Sequence, residues 1–510
     1  MVKLFRKAAS ISLLTLASRV LGVLRDALIA FVFGASMASD LFFAVFRPFD
    51  LLRKMVSEGV LTTSFIPVFS GYLARDMKNH AVSMFYSTLV LVSVFSAAAV
   101  SLGIYAAPLV IGALAPGYAG DTYALALGAV LLKVMLPYMF CILGVALSMG
   151  VLNALGNFHI PAATPVFFNL MIIGVTLFLA DWFHPPVLVL AAGVTLGGLV
   201  QLCIQVPCLY RLKMFTRQRV VLFHPGVVKA GKALLPSMVG AAAFQVNVLV
   251  AGVMASTLVP GSISFLYYAE RLVQFPLALF VTSASTVFLP LLSGRAATRS
   301  LGDVYPAFEA GVRLVFFLTI PAMAGIMALN RPIVAFLFER GAFDAHAVAQ
   351  TGDCLFFLVA GLWAVAGTRL FVTFHYALAN IWLPFAAGAI AIGANLILAR
   401  FLAPAMGISG LALSIAVSSA LGFFFLVIRS RVEFSIRGLW VCACRAFFIS
   451  GIMALLVRWL GTLWISGDGL AQGIGLFATI AAGAVFFFTA SAFLGGTEIK
   501  ALKRMVFKRE

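Results

Sequence analysis

Long apolar runs fill this chain from end to end, cut at short intervals by polar turns. Fourteen of them reach bilayer length, at about residues 8–33, 40–70, 82–110, 123–151, 158–181, 186–210, 229–258, 262–292, 308–335, 350–378, 382–402, 407–429, 438–465 and 471–495. Unbroken runs of this length predict helices, since a β-barrel would show short alternating segments. The expected fold class is an all-α polytopic membrane protein with 14 transmembrane helices.

The pattern is imperfect where it matters most. The first two runs carry charge: Arg19, Arg25 and Asp26 in one, Asp40, Arg47, Asp50, Arg53, Lys54 and Glu58 in the other. A charge at the bilayer centre costs on the order of 2.5–3.5 kcal/mol on insertion scales, so such residues face a water-filled cavity or one another. Arg19 and Asp26 are seven apart and share a helical face, with Arg25 expected to point elsewhere. Asp50 can reach Arg53 at i+3 and Lys54 at i+4, and Lys54 can reach Glu58. Mutual neutralisation and anion binding both fit these groups. Arginine offers a planar fork of donors suited to phosphate oxygens. Glu270-Arg271 lies at a similar depth in the eighth run. Pro48 in the second run, and Pro276 and Pro290 in the eighth, free carbonyls and permit bends, which marks these two runs as candidate moving or cavity-lining elements.

Composition agrees: 63% of the 510 residues are hydrophobic and 10% charged, against roughly 25% charged in a soluble domain. The formal net charge of +18 would suggest nucleic acid in a soluble protein. Here the basic residues collect in alternate loops instead. With a cytoplasmic N-terminus, the cytoplasmic loops hold Arg75 and Lys78; Arg211, Lys213, Arg217 and Arg219; Arg295 and Arg299; Arg429, Arg431 and Arg437; then the tail from Lys500 to Arg509. The opposite loops hold Asp121, Asp181, Asp344, Asp353 and Asp468, with Arg340 as an exception. This predicts both termini in the cytoplasm. No cleavable signal peptide is read at the start, and the six cysteines form no metal or disulfide framework.

The chain also repeats itself. Phe65-Ile66-Pro67, then Ser70-Gly71, recurs 223 residues on as Phe288-Leu289-Pro290, then Ser293-Gly294. Gly144 recurs as Gly367, and Ala154-Leu155-Gly156-Asn157, then Pro161, as Ala377-Leu378-Ala379-Asn380, then Pro384. The expected domains are a lobe of six spans at 1–222, a second at 223–432, and spans 13 and 14 with a basic tail at 433–510. An even span number gives both lobes one orientation, a parallel repeat suited to rocking about a midline cavity.

Against that background the motifs are recognisable. Ser18-Arg19-Val20-Leu21-Gly22-Val23-Leu24-Arg25-Asp26 resembles the first-span signature of the MurJ (MviN) family of lipid II flippases, in the MOP exporter superfamily. Asp40, Phe42-Phe43, Phe46, Leu51-Leu52-Arg53, Glu58-Gly59 and Phe65-Ile66-Pro67 resemble its second span. Tyr268-Ala269-Glu270-Arg271-Leu272 resembles its eighth, and Arg331-Pro332-Ile333 with Phe336 to Phe343 the segment after its ninth. The resemblance implies two six-helix lobes plus two helices bordering a hydrophobic groove. It implies a bacterial inner-membrane transporter, not an enzyme, moving an undecaprenyl-diphosphate-linked peptidoglycan precursor outward by alternating access. It places Arg19, Arg25, Asp26, Arg53, Glu58 and Arg271 at the substrate, with Asp40 and Ser264 at the periplasmic ends of spans 2 and 8. A monomer among membrane lipids is expected.

Two departures stand out. The family commonly has Pro-Asn before Leu-Leu-Arg, whereas here Pro48 comes one residue early and Asp50 replaces the Asn. Some members bind sodium through an acid on span 7. Span 7 here offers Gln245 and Asn247, which argues against sodium. No nucleotide-binding loop is present and no cofactor is expected, which leaves the membrane potential as driving force. Competing readings are an exporter of another lipid-linked oligosaccharide, a multidrug exporter of the same superfamily, and an intramembrane glycosyl- or phosphotransferase. The basic cavity disfavours cation export, and the missing interfacial carboxylate clusters disfavour a transferase.

Overall fold

The structure, a computed structural model, describes residues 2–55, 61–216, 221–281, 301–378, 380–430, 436–465, 469–494 and 498–499. Helix fills the described part of every apolar run. In chain order the helices are α1 (Val2–Phe33), α2 (Met37–Met55), α3 (Leu61–Ala74), α4 (Lys78–Tyr105), α5 (Ala107–Leu114), α6 (Thr122–Met135), α7 (Pro137–Ala154), α8 (His159–Leu179), α9 (Leu188–Arg211), α10 (Pro225–Ala255) and α11 (Ser262–Pro276). There follow α12 (Leu301–Ala328), α13 (Asn330–Phe338), α14 (Ala345–Val359), α15 (Leu362–Ala377), α16 (Trp382–Met406), α17 (Ile408–Arg429), α18 (Ile436–Trp464) and α19 (Leu470–Phe493). Among the described residues nine helices are long and apolar enough to cross a membrane, and α14 with α15, bent by 48°, makes a tenth.

Several runs are broken where the sequence dictates. Pro108 and Pro137 start new helices after Ala106 and Leu136, because proline lacks the N–H that the preceding turn would need. The partner breaks in the second half fall at Leu329 and at Ala360-Gly361, in the corresponding runs. Gly34 ends α1 at φ +58°, a left-handed conformation that an L side chain resists. Its N–H bonds the Ala30 carbonyl at 2.9 Å, and the chain turns directly into α2. Pro48 and Pro276 lie within α2 and at the end of α11, and the chain runs on from Pro276 as a π-helical turn, Leu277–Val281.

The chain packs as two compact units, Met1–Ser264 and Phe265–Glu510. In the first, α1 packs on α8, α8 on α9, and α10 on α2 and α3. Its core near one end is built from Phe65, Phe69, Phe85, Leu147, Val151 and Leu209. In the second, α16 packs on α17 and α18 on α12 and α19. There Phe317 and Leu329 meet Ile449, Met453 and Val457 of α18 and Leu476 and Phe487 of α19. Thus the two helices outside the sequence repeat are packed into the second unit. Beyond α19, Glu498 pairs with Arg445 of α18.

His224 caps α10. Its Nδ1 accepts the Gly226 N–H at 3.1 Å, so the ring proton sits on Nε2. The ring lies against Tyr72 and His80. Burial, then the neighbouring His80, lowers the His224 pKa. A depressed histidine stabilises the fold above its unfolded pKa of about 6.5 and loses that contribution as pH falls through its folded value. Protonation also removes the cap acceptor. Thermal stability should therefore fall below about pH 6.5, and His224→Asn, which keeps an acceptor and does not titrate, should flatten that slope. Melting curves from pH 7.5 to 5 test this, and equal slopes for both proteins would refute it.

Candidate substrate site

The charges of α1 and α2 gather into two clusters in the first unit. In α1, Arg25 and Asp26 are both buried. Arg25 donates through Nε at 3.0 Å and Nη2 at 2.6 Å to Asp26 Oδ1. The expectation that Arg25 points away from Asp26 is corrected: its long side chain folds back along the helix to its neighbour's carboxylate. Arg25 Nη1 also donates to Asn169 Oδ1 of α8 at 3.1 Å, and Asn169 Nδ2 donates to the Ser18 carbonyl at 3.0 Å. The amide thus ties α1 to α8 at the cation. A buried ion pair of this kind holds only because further hydrogen bonds offset desolvation.

In α2 the local spacing holds. Arg53 donates to Asp50 Oδ1 at 2.5 Å and Lys54 lies 2.9 Å from Oδ2. Arg53 is less buried than Arg25, with its side chain 29% exposed against 7%. Arg47 turns away from this cluster. Its Nη1 donates at 2.8 Å to the Val248 carbonyl of α10, and Gly252 leaves room for its guanidinium, since a Cβ there would lie 3.0 Å away.

Arg19 is exposed on α1, while Arg25 and Asp26 are buried. Seven residues do not quite close two helical turns, and α8 covers the face bearing Arg25. Glu58 lies outside the described residues. In the second unit Arg271 is half-buried and donates to the Tyr267 hydroxyl one turn back, at 2.7 Å from Nη2. Its guanidinium carbon sits 4.9 Å from that ring's centroid.

Asp40 and Ser264 are brought into direct contact. Asp40 is fully buried at the start of α2. Its Oδ1 accepts the Ser264 N–H at 2.8 Å and the Ser264 hydroxyl at 2.6 Å; its Oδ2 accepts the Gly261 N–H and the Tyr118 hydroxyl, each at 2.8 Å. The carboxylate therefore faces the first turn of α11, where unsatisfied N–H groups favour negative charge. Burial, then the Asp40 charge, raises the Tyr118 pKa, so the phenol remains a donor. Gly117 fits because its backbone lies on the end of α10: a Cβ would come within 1.7 Å of the Ser256 carbonyl oxygen.

Sequence reasoning missed Asn169, Tyr118 and Gly261. Asn169 left a signal, being an amide in the middle of an otherwise apolar run; Tyr118 and Gly261 left none.

Comparison with known proteins settles the kinship. The family profile described as "Lipid II flippase MurJ" matches residues 29–475. This chain belongs to the lipid II flippase MurJ family. It is 32% identical to the "Probable lipid II flippase MurJ" of Vibrio cholerae, over 98% of both chains. It is 30% identical to the "Lipid II flippase MurJ" of Burkholderia cenocepacia, over 100% of this chain and 99% of that one. A solved MurJ in an inward closed conformation superposes with a TM-score of 0.79 at 25% identity, over 95% of this chain and 98% of that one. An inward-facing multidrug MATE transporter of the MOP superfamily shares the fold at 13% identity, with a TM-score of 0.68 over 83% of this chain and 96% of that one. Within the MurJ family frame, the clusters at Arg25 and Arg53 are the charged centre of the first unit.

Proposed function

We propose that this chain is a flippase for lipid II, carrying the undecaprenyl-diphosphate-linked peptidoglycan precursor from the cytoplasmic to the periplasmic leaflet for cell-wall synthesis. Membership of the MurJ family supports the substrate. The observation that carries the chemistry is the pair of arginines, Arg25 on α1 and Arg53 on α2, held by carboxylates that an incoming diphosphate can replace. Guanidinium–phosphate hydrogen bonds are charge-assisted and bidentate, and they compensate the diphosphate for leaving water. Alternating access between two lobes, 1–222 and 223–432, would then carry the headgroup across while the lipid tail stays in the bilayer. The chain acts as a monomeric transporter in the inner membrane, with both termini cytoplasmic. Depleting the protein should make lipid II accumulate in the inner leaflet. Accumulation of a different lipid-linked glycan would overturn the substrate assignment.

The driving force belongs to the same proposal. Arg25 pairs with Asp26, Arg53 and Lys54 pair with Asp50, and Arg47 bonds the Val248 carbonyl. Any net positive charge that moves with the empty carrier would respond to the membrane potential at about 2.3 kcal/mol per elementary charge per 100 mV. Positive charge favours return of the empty carrier toward the cytoplasm, and the bound diphosphate neutralises it on the outward step. Collapsing the potential alone should stall flipping, and unaltered flipping rules the mechanism out. Neither sodium nor any other cofactor has a role in it.

A further inference from the structure

Tyr138 packs on the chain neighbours of Asp50 and Asn169, and its hydroxyl bonds neither charged cluster. It follows Pro137 at the start of α7, and its side chain is wholly buried. The ring is wedged on three sides. Phe49 meets it edge-on, with centroids 6.1 Å apart, and Phe168 lies 5.6 Å away. Gly198 of α9 gives it room: a Cβ there would come within 2.4 Å of the ring. Phe49 immediately precedes Asp50, and Phe168 immediately precedes Asn169, the partner of Arg25. The ring thus rests on the residues next to both clusters. The charged side chains that act on its hydroxyl are Arg53 and Asp50, then Arg25. Yet that hydroxyl is buried with no hydrogen-bond partner among the described residues.

Burying an unpaired hydroxyl is unfavourable, and phenylalanine would fill the same space without that cost. A tyrosine here makes sense if its hydroxyl finds an acceptor in another state. Of the three charged groups near it, only Asp50 accepts hydrogen bonds. In this state Arg53 holds Oδ1 of Asp50 and Lys54 holds Oδ2. A diphosphate that takes Arg53 strips Oδ1 of its donor and leaves a carboxylate beside an anion. A neutral donor at that point would hold the carboxylate aside without competing for the phosphate.

We propose that Tyr138 is a positioning residue of the anion site, whose hydroxyl takes up Asp50 when the substrate's diphosphate draws Arg53 away. The proposal rests on the lipid-diphosphate reading above, and Arg53→Ala separates the two. The test uses the full-length protein in nanodiscs, with undecaprenyl diphosphate as the probe, and measures melting temperature with and without probe together with apparent Kd. Tyr138→Phe should leave the melting temperature of the probe-free protein unchanged or slightly raised. It should weaken probe binding about tenfold, the loss of one hydrogen bond to a charged group. In an Asp50→Asn background the same substitution should change binding less than about twofold, because the charged acceptor is gone. If Tyr138→Phe binds like the wild type while Arg53→Ala does not bind, the role of Tyr138 is overturned and the anion site stands. An equal loss in both backgrounds, or a lowered melting temperature without probe, also overturns it, by assigning Tyr138 a packing role. Wild-type binding by Arg53→Ala would overturn the anion site itself.

Discussion

Arg53→Ala is expected to abolish flipping while the protein still inserts and folds. The Arg53 side chain is more exposed than that of Arg25, at 29% against 7%, and Asp50 keeps Lys54 when it is removed. The substrate loses more. Hydrogen bonds to charged groups are worth about 1.5–3 kcal/mol each, and a bidentate pair supplies two of them. Losing both costs on the order of a hundredfold or more in binding. Arg25→Ala should be as inactive for a different reason. It also leaves Asp26 buried without its cation, a change that costs roughly 3–5 kcal/mol, so it should lower the melting temperature where Arg53→Ala does not. Arg25→Lys keeps the charge and loses the fork, and should be partly active. Complementation with each variant as sole copy, alongside membrane levels, measures both effects. Normal growth of the Arg25→Ala, Arg53→Ala double mutant would end the diphosphate reading.

Asp40→Ala should be the most damaging substitution at the other end of α2. Four donors converge on its carboxylate, two of them the backbone N–H groups of Gly261 and Ser264. Removing it orphans these donors, at an expected cost of about 4 kcal/mol, equivalent to two or three charge-assisted hydrogen bonds. Asp40→Asn keeps one acceptor oxygen and turns an amide toward donors, so it should fall in between. Ser264→Ala removes a single donor and should cost about 1 kcal/mol. Thermal unfolding in detergent ranks the three, and a melting temperature for Asp40→Ala equal to that of Ser264→Ala would contradict the ordering. We assign this cluster a gating role, holding α2 to the start of α11 in the state seen here, so transport should fail in the same order.

The parts of this picture that depend on local spacing were legible in the sequence. Apolar run length gave the helices, and i+3 and i+4 spacing gave the Asp50–Arg53 and Asp50–Lys54 pairs. Chemistry assembled from distant segments was not. Arg25 meets Asn169 across 144 residues, and Asp40 meets Tyr118 across 78. Helical period alone assigned Arg25 and Asp26 to different directions, because it speaks for Cβ positions and not for a side chain long enough to fold back. Nor does period say which of the α1 cations the packing of α8 covers. The family resemblance, not spacing, brought Asp40 and Ser264 to the same end of the molecule.

One consequence follows from where α2 is fastened. Its first half is pinned twice, at Asp40 and at Arg47 on the Val248 carbonyl. Pro48 comes next, and Asp50, Arg53 and Lys54 all lie beyond it. A bend at the proline would turn the charged end relative to the pinned half. Five residues of helix separate Pro48 from Arg53, an arm of about 7.5 Å at 1.5 Å per residue. A change of about 20° at the proline, an ordinary kink, swings Arg53 through about 2.5 Å while the pinned half stays put. Arg25 stands on another helix, clamped to Asn169, and does not share the swing. A small bend at one residue would therefore change the gap between the two guanidinium groups, the pair proposed above to take the diphosphate.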